Sequence, residues 1–231
     1  MTSNINWQAY YQKEPLISDF NPETDALEIH RCLAAWSVFP RQKIDSLLDV
    51  ECGDGYFCHW IKQNSNIDKV MGIDISEARL ERARSRYPEI KYIKGSFPNL
   101  PADNNSFDLV SCIEVLEHME DPLEALKELA RITRKYVLIT VPDRQVIKYN
   151  ICPHCLKKFP ADGHLHSFDV PKIRILAQNS NLIVEKTSSY YLPVDALSTV
   201  IPLWAGKALR KMANFISYRP GTFLAARLRK I

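Results

Sequence analysis

The sequence predicts an α/β fold in which a mostly parallel sheet carries helices on both faces, and three observations lead to this prediction. Short runs of apolar and β-branched residues alternate with segments of helical periodicity through the middle of the chain. Two glycines, Gly53 and Gly55, follow the first of these runs, as they do where a buried strand turns sharply into a helix. The 231 residues, 46% of them hydrophobic, are enough for one large core.

The alternation divides the middle of the chain into strands and helices. The apolar runs have the length of strands, and the helical segments between them are long enough to connect parallel neighbours. Predicted strands cover 46–50, 69–74, 90–94, 107–113 and 136–141, and predicted helices cover 55–63, 76–85 and 122–133.

The pattern changes after Pro142. A loop rich in cysteine and histidine is predicted at 150–168. It is followed by a helix at 171–179, a strand at 182–186 and a last strand at 222–229. We predict a single domain, 1–231, made of an N-terminal helical cap (1–45), a cofactor-binding core (46–190) and a C-terminal part (191–231).

The C-terminal part is basic although the net charge of the whole chain is only +3. From Tyr190 onward, seven Lys and Arg residues face the single acid Asp195. A basic amphipathic helix is expected within 195–216, with a break at Pro202. Packing on the core and peripheral docking on a membrane surface both remain open for this helix. Binding to nucleic acid is not expected from so small a net charge.

The cellular location is predicted from the N-terminus and from the cysteines. No basic leader or long apolar segment is visible, so we expect a cytoplasmic protein. Four cysteines have apolar neighbours and are expected to be reduced, buried thiols rather than parts of a disulfide framework. They are Cys32, Cys52, Cys58 and Cys112.

A cofactor site is predicted at the carboxyl ends of the first two strands. The glycines in "LLDVECGDGYF" let a ligand approach the backbone at the start of a helix. About 20 residues on, "MGIDIS" puts Asp74 at the tip of the second strand, where a carboxylate can accept hydrogen bonds from ribose hydroxyls. The three-glycine fingerprint of nicotinamide-binding Rossmann domains is missing from this turn.

Four blocks of sequence resemble the class I S-adenosylmethionine-dependent methyltransferases. They are "LLDVECGDGYF", "MGIDIS", "KGSFPNLPADNNSFDLVSCIEVLEH" and "RKYVLITVP". The resemblance implies a Rossmann-like, mostly parallel seven-stranded sheet with an antiparallel last strand, and S-adenosylmethionine as cofactor. It also implies that Asp49, Gly53 and Gly55 hold the methionine end, Asp74 the ribose, and Ser96 with Phe97 the adenine edge, with Ile75 and Glu51 in the same site.

Two positions depart from the pattern of that family. The family usually has an acid where Ser96 stands, which predicts a weaker adenine contact. The family also has glycine where Glu51 stands, against the methionine part of the cofactor. Glu51 is therefore either a tolerated variant or the cause of an impaired cofactor site, and both interpretations remain open at this point.

A candidate catalytic group follows the fourth strand in "CIEVLEHMEDP". In a helical turn, Glu114, Glu117 and His118 would stand at i, i+3 and i+4 and point to one side. Such a set suits Mg²⁺, Mn²⁺ or Zn²⁺. The turn is similar to the Glu-x-x-Glu-His element of the ubiquinone-biosynthesis and small-RNA O-methyltransferases, which implies a further histidine, His164 or His166. The alternative is a metal-free pocket with His118 as a general base.

The loop at 150–168 offers a second candidate metal site. Cys152 and Cys155 have the Cys-x-x-Cys spacing that binds zinc through two thiolates, and His164 and His166 could complete a tetrahedron. The two metal proposals compete for these histidines. A metal-free loop with ordinary thiols is the alternative.

The function predicted from these features is methyl transfer from S-adenosylmethionine to a hydroxyl of a small molecule. Similar Cys-x-x-Cys loops occur in methyltransferases thought to act on cell-surface sugars, so a sugar or lipid-linked glycan intermediate is the expected acceptor. O-methylation of a quinol or phenol is the nearest alternative. A binding or scaffold protein with an impaired cofactor turn is the alternative from another class.

Overall fold

The computed structural model describes residues 21–190 and 222–231 of the chain. The predicted basic helix within 195–216 and the first part of the predicted N-terminal cap lie outside the described residues. No helix of the described segments has both the length and the apolar character needed to cross a bilayer.

Seven strands form one sheet in the order β3-β2-β1-β4-β5-β9-β8. Strands β1 to β5 are parallel, and β9 is antiparallel to both of its neighbours, β5 and β8. This confirms the predicted sheet with its antiparallel last strand. The strands are β1 (Ser46–Val50), β2 (Lys69–Asp74), β3 (Lys91–Lys94), β4 (Phe107–Ile113), β5 (Thr133–Pro142), β8 (Leu182–Tyr190) and β9 (Phe223–Lys230).

Helices cover both faces of the sheet, as the sequence predicts. Their starts are fixed by local chemistry: the Asp121 carboxylate accepts hydrogen bonds from the backbone N–H groups of Leu123 and Glu124 at 3.0 and 3.1 Å, and Pro122 occupies the first turn. The helices are α1 (Ala26–Ser37), α2 (Tyr56–Asn64), α3 (Glu77–Arg86), α4 (Pro122–Ile132) and α5 (Val170–Gln178), with a short 3-10 helix at Leu116–His118.

The core lies in two layers on either side of the sheet. Adjacent strand residues point to opposite faces, so Leu47 packs in the layer with α1, α2 and α3, and Leu48 packs in the layer with α4 and α5. Both side chains are fully buried. The four cysteines predicted to be reduced and buried are free and buried.

Three features differ from the predicted elements, the first being that β5 begins at Thr133 rather than at the predicted residue 136. Within the predicted loop at 150–168, β6 (Tyr149–Ile151) pairs with β7 (Lys158–Pro160) in an antiparallel hairpin. Each strand of this hairpin has only three residues, which is too short for a pattern of alternation to predict it. Strand β8 continues to Tyr190, beyond the predicted end at 186, because β9 pairs with it along its whole length.

Candidate functional site

A cavity of about 990 Å³ opens at the carboxyl ends of β1, β2 and β4. The order of the sheet reverses between β1 and β4, and ligands of open α/β sheets bind at such a point. Residues from the cofactor and catalytic predictions meet here. The cavity lining includes Asp49, Glu51, Gly53, Asp74, Ile75, Ser96, Phe97, Glu114, His118 and His164.

The two glycines of the first turn have different roles. Gly53 lines the cavity with φ of +55°, and its backbone N–H donates to the Asp74 carboxylate at 2.7 Å. Gly55 has φ of +81° and does not occur among the lining residues. A Cβ at Gly55 would lie 2.8 Å from the Tyr92 ring, so glycine is needed there for conformation and packing rather than for ligand contact.

Two buried aspartates form the floor of the cavity. Asp74 accepts hydrogen bonds from the backbone N–H groups of Gly53 and Ser76, which fix both of its oxygens in place. The Ser111 hydroxyl donates to Asp49 at 2.7 Å. Burial, together with the nearby Asp74 charge, raises the pKa of Asp49 to about 7. The floor therefore favours a ligand that brings positive charge to these carboxylates.

Glu51 turns its side chain across the ends of the neighbouring strands. Its carboxyl lies beside the backbone N–H of Ile75 and the Ser96 side chain, both of which favour its charged form. Burial and the charge of Asp74 raise the pKa of Glu51 to about 8, so the carboxyl is largely protonated at neutral pH. Glu51 also has φ of +57°, a left-handed conformation that favours glycine.

Glu114 has the same unusual backbone conformation at the end of β4. Its φ of +55° means that the chain does not enter a helical turn at this residue, and the 3-10 helix begins only at Leu116. The expected i, i+3, i+4 arrangement of Glu114, Glu117 and His118 is therefore not formed. Glu114 instead lines the cavity, and burial raises the pKa of its carboxyl to about 7.

A candidate metal-binding cluster is formed by Glu117, His118 and His164. One ligand atom from each of these residues lies within 4.8 Å of the other two. Glu117 is 1% exposed, and neither of its carboxylate oxygens has a hydrogen-bond partner among the described residues. A buried carboxylate without partners is costly. A cation bound to these oxygens would offset that cost, so the cluster fits a divalent metal ion.

Hydrogen bonds set the orientation of both imidazoles. His118 donates through Nδ1 to the Gly163 carbonyl at 3.2 Å, and His164 donates through Nδ1 to the Gln145 side-chain oxygen. The lone pair of each ring then lies on Nε2, as metal-ligating histidines require. Burial lowers the pKa of His118 to about 4 and also lowers that of His164, so both rings stay neutral at physiological pH.

The structure does not bring the four residues of the predicted Cys/His site together. The backbone N–H groups of Leu165 and His166 donate to the Glu117 carbonyl, which holds the histidine segment beside Glu117. His166 then donates through Nε2 to the Glu120 carbonyl at 3.4 Å. Among the described residues, no group of three metal ligands contains Cys152 or Cys155. The proposed set of Cys152, Cys155, His164 and His166 is corrected accordingly.

Three further residues of the site were missed in the sequence. Arg31 and Glu28 reach the cavity from α1 and form an ion pair, and the buried Nε of Arg31 has no hydrogen-bond partner among the described residues. Gln145 orients His164 from the chain that follows β5. No motif marks these positions, because they act through contacts between distant segments.

Comparison with known proteins identifies the family. A family model described as "Methyltransferase domain" matches residues 48–140, which contain β2 to β4 and most of β1 and β5. An uncharacterized protein of Methanocaldococcus jannaschii, MJ0638, is 30% identical over 189 residues, covering 80% of this chain and 79% of that protein. The chain belongs to the class I S-adenosylmethionine-dependent methyltransferases. The predicted family and cofactor class are thereby confirmed.

Other similar proteins match a smaller part of their length. The ubiquinone biosynthesis O-methyltransferase of Saccharophagus degradans is 37% identical over 93 residues, 38% of this chain and 39% of that enzyme. The chain spans between 38% and 57% of the length of several further curated methyltransferases. Among solved structures, an S-adenosylmethionine-dependent methyltransferase from Mesorhizobium loti superposes with a TM-score of 0.64 at 20% identity, covering 91% of this chain and 100% of that one. That likeness confirms the methyltransferase fold.

Proposed function

We propose that this chain transfers a methyl group from S-adenosylmethionine to a hydroxyl group of a small molecule. The observation that carries the proposal is the position of the Glu117, His118 and His164 cluster, two members of which line the same cavity as the cofactor residues. Such an arrangement suits a reaction in which one ligand is held by the aspartates and another is activated beside the imidazoles.

The cofactor residues fit the chemistry of S-adenosylmethionine. When bound, the cofactor supplies an electrophilic methyl group on a positively charged sulfur. Asp74, fixed by two backbone N–H groups, retains lone pairs for the ribose hydroxyls. Asp49 is available to the ammonium group of the methionine part, and Ser96 and Phe97 form the wall for the adenine. The Glu51 carboxyl, neutral at pH 7, avoids placing a further charge beside the cofactor carboxylate.

The metal ligands in this proposal are Glu117, His118 and His164. Two imidazoles and one carboxylate favour zinc over magnesium, since magnesium prefers a shell of oxygen ligands. A bound divalent ion would lower the pKa of a hydroxyl group in contact with it. Packing holds the Glu117 side chain and hydrogen bonds hold the two rings, so the part of these residues is to bind and orient the ion.

Glu114 is the proposed proton acceptor. Its pKa of about 7 is matched to removal of a proton near neutral pH, and its carboxyl lines the cavity at the end of β4. The lowered pKa of His118 makes this ring a poor base and a good metal ligand. This assignment divides the predicted catalytic residues into one base, Glu114, and two ligands.

A sugar or a lipid-linked glycan intermediate is the proposed acceptor. Glu120 and Asp162 line the cavity together with His164, and their carboxylates can accept hydrogen bonds from neighbouring hydroxyl groups. A quinol or phenol is the second candidate, because a relative that matches part of the chain is named a ubiquinone biosynthesis O-methyltransferase. Sugars present adjacent hydroxyls to a metal ion, and so does a quinol or phenol ring that carries a second hydroxyl on the neighbouring carbon.

The first experiment is calorimetric titration of S-adenosylmethionine into the native protein and into the Glu51→Gly variant. Micromolar binding by the native protein, about −8 kcal/mol, would support the proposal and lead to assays with hydroxylated sugars and quinols. Binding by the variant alone would favour a scaffold protein whose cofactor site Glu51 impairs. If neither protein bound the cofactor, methyl transfer by this chain would be refuted.

A second experiment tests the metal. Once an acceptor is identified, turnover should fall on addition of a chelator and return with zinc, because the hydroxyl group depends on the ion for its deprotonation. Glu117→Gln should bind less metal and lose turnover. Glu89→Gln, at an exposed carboxylate that contacts His59 and does not line the cavity, is the matched control and should behave as the native protein. Full turnover by Glu117→Gln in the presence of chelator would refute the proposed role of a metal ion in the reaction.

A further inference from the structure

The tip of the β6–β7 hairpin carries a second candidate metal site, separate from the cavity. The backbone N–H of Cys152 donates to the Lys157 carbonyl at 2.9 Å, and that of Leu156 donates to the Cys152 carbonyl at 2.8 Å. Leu156 has φ of +56°, which reverses the chain after Cys155. These bonds close a tight turn that holds both cysteines on one side of the hairpin.

The turn also has the spacing of a zinc ligand pair. Two residues separate Cys152 from Cys155, and this is the Cys-x-x-Cys spacing through which two thiolates bind one zinc ion.

We propose that Cys152 and Cys155 provide half of a tetrahedral zinc site, and that the same two cysteines of a second copy of this chain complete it. Structural zinc sites take four protein ligands. One copy offers two thiolates on an accessible hairpin, where Cys155 is exposed and Cys152 partly exposed. Two copies related by a twofold axis would offer four.

The metal ligands of one copy do not complete this site among the described residues. All six cysteines and all six histidines of the sequence fall within the described residues, and the other four cysteines are buried in the core. Among these residues, no group of three ligand atoms includes either hairpin cysteine, although His154 lies between them in the turn. Within the described residues this pair has no third ligand, so a second hairpin is the proposed source of the other two thiolates.

Apolar side chains surround the cysteines and favour contact with a partner surface. Val146, Tyr149, Ile151 and Leu156 are between 59% and 79% exposed. They account for four of the eight large hydrophobic residues that are exposed in residues 21–190 and 222–231. Such a concentration within one short segment marks an interaction surface rather than scattered surface exposure.

The charges on the hairpin explain why the metal is needed for this contact. Lys148, Lys157 and Lys158 are exposed on the same hairpin, so two copies without metal would repel each other. Four thiolates around one zinc ion carry a net charge of −2 and attract these lysines. Removal of zinc should therefore dissociate the two copies rather than merely loosen them.

The test measures zinc content and mass in solution for protein purified without chelator, in the Glu117→Gln background so that metal at the cavity does not contribute. We expect one zinc ion for every two chains and the mass of a dimer. Chelator, or the double variant Cys152→Ser, Cys155→Ser, should give a metal-free monomer. His154→Ala is the matched control and should retain both zinc and the dimer. Cobalt substitution should give the thiolate-to-metal absorption of a four-sulfur site.

Three results would overturn the proposal. One zinc ion per monomer, lost in the double serine variant, would mean that the ligands come from the same chain. Equal zinc content in His154→Ala and in the double serine variant would show that Cys152 and Cys155 do not bind zinc. Thiol titration that finds Cys152 and Cys155 joined in a disulfide, with the mass unaffected by chelator, would assign the pair to redox chemistry.

Discussion

Replacement of Glu51 by Gln should stabilise the metal-free, cofactor-free protein in a pH-dependent way. Burial raises the pKa of this carboxyl from an ordinary value near 4.5 to about 8 in the folded state. The folded protein therefore binds the proton more tightly than the unfolded chain does. Stability from this group is fully present below the unfolded pKa and is lost as the pH rises towards 8.

The size of this stabilisation follows from the shift in the pKa of Glu51. At pH 7 the native carboxyl lowers the free energy of unfolding by up to about 3 kcal/mol relative to a permanently neutral side chain. Glu51 keeps partial contact with solvent, so we expect a measured gain for Glu51→Gln of about 1 to 2 kcal/mol at pH 7.5. The amide retains an acceptor for the Ile75 N–H and the Ser96 hydroxyl.

Urea unfolding at pH 5.5 and pH 7.5 measures this gain. The difference between the variant and the native protein should grow by at least about 1 kcal/mol between the two pH values. Glu51→Gly is a second comparison: relief of the left-handed backbone stabilises it by about 1 kcal/mol, and the flexibility of glycine offsets most of this. A gain of equal size at both pH values, or a loss at pH 7.5, would refute the argument from the buried carboxyl.

Three further predictions concern the site and its support. Activity should rise with pH through about 7 as Glu114 ionises, and Glu114→Gln should remove this dependence and lower turnover by about 10²- to 10⁴-fold in a pH–rate profile. Gln145→Leu should weaken metal binding about 10- to 100-fold in a titration, because His164 loses the acceptor that orients it. An unchanged affinity would exclude Gln145 as the residue that orients His164. Gly55→Ala should lower the free energy of unfolding by at least about 1 kcal/mol. Adding Tyr92→Phe should restore part of this loss, because it removes the hydroxyl nearest to the new methyl group. An equal loss with Tyr and with Phe at position 92 would contradict the contact between that hydroxyl and the methyl group.

The strands that form the site were predictable from sequence because their signals are local. Strands β1, β2 and β4 have the predicted bounds, since each is a buried apolar run that ends at a turn or a polar residue. The proximity of the glycine turn to Asp74 was predictable for the same reason, because Gly53 and Asp74 follow or end strands that are neighbours in the sheet.

The parts of the site that failed prediction depend on contacts between distant segments. Spacing alone could not choose between His164 and His166, because the choice is made by hydrogen bonds from their segment to the Glu117 carbonyl. The helical turn at Glu114 failed because a left-handed residue precedes the 3-10 helix. The direction of the Glu51 side chain depends on Ser96, which the sequence treats as an unrelated departure from the family pattern.

The junction between the end of β8 and the start of β9 is a position at which a segment of the chain can be replaced. Tyr190 and Phe223 are paired at the end of β8 and the start of β9, and the Thr222 N–H donates to the Tyr190 carbonyl at 2.7 Å. Strand β8 runs parallel to β5, so Tyr190 and Phe223 lie at the same edge of the sheet as the carboxyl ends of β1, β2 and β4. Segments of different length can therefore be joined at this junction without a change in the register between β8 and β9.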